Sequence, residues 1–219
     1  ELENTIVIVT SDNGMPFPRA KANCYDYGMH VPLAIRYPKE IKGGRISETL
    51  VGFIDLAPTI LEVTQTKPTQ MMPITGKSIW EWLTTNKENK ERVVFSGRER
   101  HSSSRYKNWG YPQRCVRKGD YLYIWNAIPE RWPAGAPQGL NPETGKLNPM
   151  YDLFEDENKI GENVFSDIGP TPSKRFLIQN HSDEEVSDYF HLTVDKRPEF
   201  EVYNVAIDMD CLNNLAGLP

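Results

Sequence analysis

No apolar run in the chain approaches the roughly 18 residues that a membrane-crossing helix needs, and no block of Lys or Arg marks a nucleic-acid surface. Acidic residues outnumber basic ones, 30 to 25, for a formal net charge of -5. That balance excludes an extended cationic face, though not a small basic pocket for an anionic sugar. Cysteine is scarce. Cys24, Cys115 and Cys211 form neither a disulfide framework nor a metal-binding spacing, and they read as three buried or idle thiols. There is no G-x-S-x-G elbow, no glycine-rich phosphate loop and no zinc-type Cys/His pattern. The four histidines, His30, His101, His181 and His191, are dispersed. Nothing in the 219 residues marks a nucleophile.

What is present is an ordinary globular composition, 38% hydrophobic and 25% charged, with enough chain for one large domain or two small ones. Seventeen prolines point to many ordered loops. Residues 4–10 and 31–36 read as strands, and 55–63 as a helix with Asp55 at its N-cap and Pro58 in its first turn. A short helix fits 77–84. Strands are expected at 93–97, 114–117, 121–125 and 200–205, with a hairpin turn at Lys118-Gly119-Asp120. Helical signal lies near 173–180 and 184–190, after a long Pro/Gly loop over 129–149. The predicted fold is α/β, with residues 1–92 as part of a large α/β domain and 93–219 as a smaller antiparallel subdomain with a packed helix.

The most informative segment is Thr5-Ile6-Val7-Ile8-Val9-Thr10-Ser11-Asp12-Asn13-Gly14. A β-branched run that stops at a carboxylate and an amide brings hard oxygen ligands to the rim of a sheet. Two such residues fill only part of a shell of six to eight oxygens, and a turn junction accounts for Asp and Asn equally well. A parallel strand this early needs neighbours from elsewhere, so the chain reads as the second half of a larger enzyme. Lys21, nine positions after Asp12, could neutralise a bound oxyanion or simply be solvated. Arg98-Glu99-Arg100-His101 could contact sugar hydroxyls or anions, or be a solvated charge run. Trp109, Tyr111, Trp125 and Trp132 suit either sugar stacking or core packing.

Several segments, in order and spacing, resemble the C-terminal half of formylglycine-dependent sulfatases: Ile8 to Gly14, Lys21, Val31-Pro32-Leu33 and Phe53 to Leu61. Asp12 to Pro18, Phe95 to His101, Tyr111 to Arg114, Tyr121 to Asn126, Arg131 to Gly135, Phe200 to Tyr203 and Leu212 to Ala216 are similar to the heparan N-sulfatase (sulfamidase) branch and its bacterial relatives. The stretch from Asp156 to Pro198 carries no such motif. The resemblance implies calcium at Asp12 and Asn13 and a catalytic sulfate-gripping Lys21, where sulfamidase has Arg. It implies substrate binding by Arg98, Glu99 and His101, with sugar contact at Glu99 and His101.

The same resemblance calls for an upstream Asp-Asp pair for calcium and a formylglycine made from C/S-x-P-x-R. Neither pattern occurs in these residues, so the missing N-terminal half of the protein is the expected source and partner. The implied substrate is a sulfated sugar, bearing a glucosamine N-sulfate or an O-sulfate, and the implied location is periplasmic, secreted or lysosomal. Two other readings compete. A phosphonate or phosphodiester hydrolase of the same superfamily is disfavoured by Asn13, a poor transition-metal ligand. A non-catalytic glycan-binding module would bind sugar without calcium.

Overall fold

The β-branched run at the start of the chain forms β1, Val7–Thr10, which pairs antiparallel with β2, Leu33–Arg36. Val7 lies opposite Arg36, and Thr10 lies opposite Leu33. The Thr10 hydroxyl also donates to the Pro32 carbonyl at 2.7 Å. The computed structural model describes residues 1–85, 87–101 and 105–218. It divides into two units, one of Glu1–Ser11, Pro32–Phe95 and Val116–Asp120, the other of Asp12–Val31, Ser96–Cys115 and Tyr121–Pro219. The segment Asp12–Val31, counted by the sequence reading with residues 1–92, is thus grouped with the later residues.

In the first unit, β1 does not have the buried, parallel surroundings its composition suggests. Its one neighbour among the described strands is the antiparallel β2, and Val9 is 61% exposed. A strand with one neighbour keeps an open edge, and its apolar side chains stay accessible. Ile6, Ile8 and Ile35 face a small apolar space shared with Leu56, Ile60 and Leu83. Those last three come from or adjoin helices α2 (Leu56–Val63) and α3 (Trp80–Thr85).

Asp55 stands at the N-cap position of α2, as its residue type suggests, but its side chain makes no capping bond to the helix. It ends a 3-10 turn, Phe53–Asp55, that runs straight into the helix. Its carboxylate accepts from the Gly52 amide at 2.8 Å and the Lys77 amide at 2.9 Å, and it pairs with Arg92. The Thr59 hydroxyl extends the link by accepting from the Ile79 amide at 3.0 Å. A carboxylate only 1% exposed is tolerable because every bond it makes is charge-assisted.

The second unit holds the short helix α1, Asp26–Met29, which the sequence reading misses. It also takes in most of a four-stranded sheet: β3 (Val93–Arg98), β4 (Gln113–Lys118), β5 (Tyr121–Asn126) and β6 (Phe200–Asn204), in that order. The turn between β4 and β5 falls at Gly119-Asp120, where Gly119 takes a left-handed φ of 51°. β5 and β6 are antiparallel, with Trp125 opposite Phe200. Strict alternation along β5 buries Leu122, Ile124 and Asn126 and leaves Tyr121, Tyr123 and Trp125 on the other face.

The buried face of β5 packs with Cys24, Tyr25, Cys115, Tyr203, Val205 and Cys211. All three cysteines are free and buried. A second core lies in the segment without recognisable motifs, where Val164 and Phe165 meet Ile178 of α4 (Pro172–Gln179) and Phe190 and Val194 of α5 (Ser187–Val194). Thr171 caps α4 by accepting from the Lys174 amide at 3.3 Å. The Lys174 side chain turns inward and donates to the carbonyls of Val164 at 2.6 Å and Ile168 at 3.3 Å. Burial pushes its ammonium down to about 8 against the opposing pull of Asp152.

Two outcomes follow from these buried charges. Asp55→Ala removes one partner of a buried ion pair and strands Arg92, so it should cost about 3–5 kcal/mol, read as a lower denaturation midpoint. Lys174 has a lower pKa folded than unfolded, so between about 8 and about 10.5 the unfolded chain binds more protons. Stability should therefore rise with pH across that window, by at most about 3 kcal/mol from this group. The rise should flatten in Lys174→Met, as measured by denaturant titrations at pH 7.5 and 10.

Candidate active site

Asp12 and Asn13 lie just beyond the end of β1. The Asp12 carboxylate is exposed, while Asn13 is half-buried and donates its amide nitrogen to the Gly14 carbonyl at 2.8 Å. That bond commits the nitrogen to protein, so the ligand-type atom of Asn13 is its oxygen. Gly14 is buried because backbone crosses it: a Cβ there would meet the Tyr27 carbonyl oxygen at 2.1 Å and the Gly28 Cα at 2.7 Å. A Cβ on Gly28 would in turn meet the carbonyl oxygens of Asn23 at 2.3 Å and Ala20 at 2.4 Å. The two glycines thus let the Asp12–Gly14 turn and the Ala20–Asn23 turn pack on the same short helix, α1.

Lys21 sits on the second of these turns, exposed. Its backbone is closely held. The Lys21 amide donates to the Met15 carbonyl at 3.1 Å, and the Asn23 side chain donates to the Lys21 carbonyl at 3.0 Å. Arg19 and Ala22, either side of it, adopt left-handed φ angles of 63° and 61°, which non-glycine residues take up only under constraint. Arg19 supplies part of that constraint. Its guanidinium donates to the carbonyls of Leu192 at 3.0 Å and Cys211 at 2.7 Å, and it stacks 4.1 Å over the Tyr25 ring.

The charge run at the end of β3 splits by direction. Arg98 points inward, with a side chain only 10% exposed. It donates to the Ala22 carbonyl and, at 2.9 Å, to the Pro133 carbonyl, and it lies 5.1 Å from the centre of the Tyr111 ring. Burial lowers the Arg98 pKa, and the Asp167 carboxylate, 3.9 Å away, opposes that shift. Arg105 shares the same supports, donating to the Pro133 carbonyl at 3.1 Å and pairing with Asp167. Glu99, Arg100 and His101 are exposed. The Glu99 carboxylate pairs with Arg114, and its carbonyl accepts from the Tyr111 amide at 2.8 Å. Gly110 allows that approach, since a Cβ there would lie 2.4 Å from the same carbonyl.

The structure therefore packs Asp12, Asn13 and the Lys21 turn against one helix and joins Arg98 to that turn, while Glu99 and His101 remain on the surface. Among the aromatics, Tyr111 is buried, Trp109 and Trp125 are exposed, and Trp132 is half-buried beneath Lys196. Sequence reasoning misses Arg19, Arg105 and Asp167, which meet their partners only through long-range folding. The Asp12/Asn13 donor set, a carboxylate and an amide oxygen, has the chemistry of a hard-cation site. Among the described residues no group of three or more His, Cys, Asp or Glu side chains gathers, and these two side chains supply only part of a shell of about six to eight oxygens.

Residues 20–112 match the family model described as N-sulphoglucosamine sulphohydrolase, C-terminal. The chain is 32% identical over 218 residues to an ulvan-active sulfatase of Formosa agariphila, covering 100% of this chain and 30% of that one. It is 32% identical over 133 residues to human N-sulphoglucosamine sulphohydrolase, covering 57% of this chain and 25% of the relative. A solved structure of a protein in complex with its substrate D-glucosamine-2-N,6-O-disulfate superposes with a TM-score of 0.58 at 19% identity, over 100% of this chain and 31% of that chain. At that identity the superposition establishes a shared fold. The chain spans less than a third of the length of these relatives. It belongs to the sulfatases, as the counterpart of the C-terminal part of their longer members.

Proposed function

We propose that the protein to which this chain contributes hydrolyses sulfate esters or sulfamates on a sulfated sugar. The observation that carries this reading is the packing of the Asp12-Asn13-Gly14 turn and the Lys21 turn on α1, in a chain alignable along its whole length with a sulfatase. Residues 1–92 would belong to the large α/β catalytic domain and 93–219 to the smaller subdomain. The named relatives act on ulvan or bear the name of N-sulphoglucosamine, which supports a carbohydrate sulfate and leaves N-sulfate and O-sulfate as alternatives. Such glycans place the enzyme in the periplasm, outside the cell or in a lysosome.

In this reading Asp12 and Asn13 hold part of a calcium shell, a task their hard oxygens suit. Bound calcium would supply Lewis-acid polarisation of the sulfate oxygens, and a formylglycine would supply the nucleophile. The 219 residues contain no C/S-x-P-x-R, so the nucleophile and the rest of the metal shell come from the remainder of a longer protein. Lys21 is the catalytic cation. It sits on a rigid turn and neutralises charge that builds on a non-bridging sulfate oxygen. Glu99 and His101 contact the sugar from the exposed end of β3, and Arg98 serves the site from beneath. The Asn13 amide oxygen suits calcium better than a transition metal, which favours this reading over a phosphodiester hydrolase.

Sulfate release from glucosamine N-sulfate and glucosamine 6-sulfate by the full-length protein tests the proposal. Release from neither, with calcium bound, would reject it. Asp12→Ala should weaken calcium binding by calorimetry and reduce kcat/KM by about a hundredfold or more. The 219-residue chain by itself should release no sulfate from either sugar.

A further inference from the structure

Arg98 looks from sequence like a substrate ligand, yet its guanidinium is buried and bonded to main chain. One carbonyl it holds belongs to Ala22, the residue after Lys21, and the other to Pro133. Arg19, two residues before Lys21, grips the carbonyls of Leu192 and Cys211 in the same way. The exposed lysine is thus bracketed by two arginines that bind backbone rather than ligand. Arg19, two residues before Lys21, and Ala22, the residue after it, are both held at left-handed φ. A turn left to itself would relax out of that conformation, so the clamps maintain it.

Holding a catalytic cation on an over-determined turn removes the reorganisation that a flexible lysine would undergo when an anion arrives. We propose that Arg98 is a positioning residue for Lys21: it fixes the Ala22 carbonyl and thereby the direction of the Lys21 ammonium, and it does not touch the sugar. The inference rests on the reading of Lys21 as the sulfate-binding cation. The arginine fork is essential to it, because two carbonyls from distant segments are held by one planar group. A lysine at position 98 would keep the charge and lose the fork.

Inorganic sulfate, which has no sugar, is the discriminating probe, with affinity measured by calorimetry on the calcium-loaded full-length protein. Lys21→Ala tests the underlying reading: sulfate affinity unchanged by that substitution removes the reading, and the inference with it. If Lys21→Ala weakens sulfate, Arg98→Gln and Arg98→Lys should each weaken it about tenfold, and neither should add more than about twofold in the Lys21→Ala background. Sulfate binding unaffected in both Arg98 variants would mark Arg98 as a sugar ligand or a bystander. Loss in Arg98→Gln with normal binding in Arg98→Lys would assign it a purely electrostatic role. Equal losses with and without Lys21 would show independent action. Any of these three overturns the proposal. Thermal melting of each variant identifies loss of fold, and Arg98→Lys, which retains charge and bulk, keeps the test open if Arg98→Gln unfolds.

Discussion

The second unit is organised around one buried charge. Glu201, 2% exposed, accepts hydroxyl hydrogens from Tyr25 at 2.9 Å and Tyr203 at 2.6 Å, and an amide hydrogen from Asn126 at 2.7 Å. These bonds tie β6 to β5 and to the segment that leads out of the Lys21 turn. Isolated in an apolar core, a carboxylate would be strongly destabilising; with three short donors its desolvation is offset. Burial and the adjacent Glu201 charge push the Tyr25 and Tyr203 hydroxyls upward, which keeps both as donors. Arg19 and Arg197 lie over the Tyr25 ring, at 4.1 and 5.1 Å, and bring positive charge close to the same group.

Much of this architecture can be read locally. The alternation in Tyr121-Leu122-Tyr123-Ile124-Trp125 specifies a strand with one buried face, and Gly119 supplies the turn before it. The helical signal near 173–180 corresponds to α4, Pro172–Gln179. Where local reading fails, a long-range interaction has intervened. Asp55 occupies the N-cap position expected of it, but its carboxylate is recruited by Gly52, Lys77 and Arg92 rather than by the helix. Lys174 looks like a surface residue of α4 and is drawn into carbonyls ten and six residues earlier. The burial expected of β1 belongs to a composition suited to neighbours on both sides, and the described residues give it one.

The candidate site follows the same division. Residue type alone fits an ordinary turn as well as a site at Asp12, Asn13 and Lys21, and it is the order and spacing of the family motifs that single them out. The packing that holds their turns is not visible in the sequence. It comes from glycines that admit backbone crossings and from arginines whose partners lie 76 and 173 residues away. Arg98 is the clearest case: its neighbours suggest a surface charge run, and only the fold turns it inward.

The three thiols carry a different consequence. Cys24, Cys115 and Cys211 lie in a single apolar cluster with Tyr25, Leu122 and Tyr203, and burial raises the Cys211 thiol to about 11. Alkylating reagents reach such sulfurs only when the surrounding core opens. The protein therefore carries an intrinsic reporter. The rate at which its cysteines become labelled is a clock for breathing of the very core that Glu201 holds shut, and it needs no engineered probe.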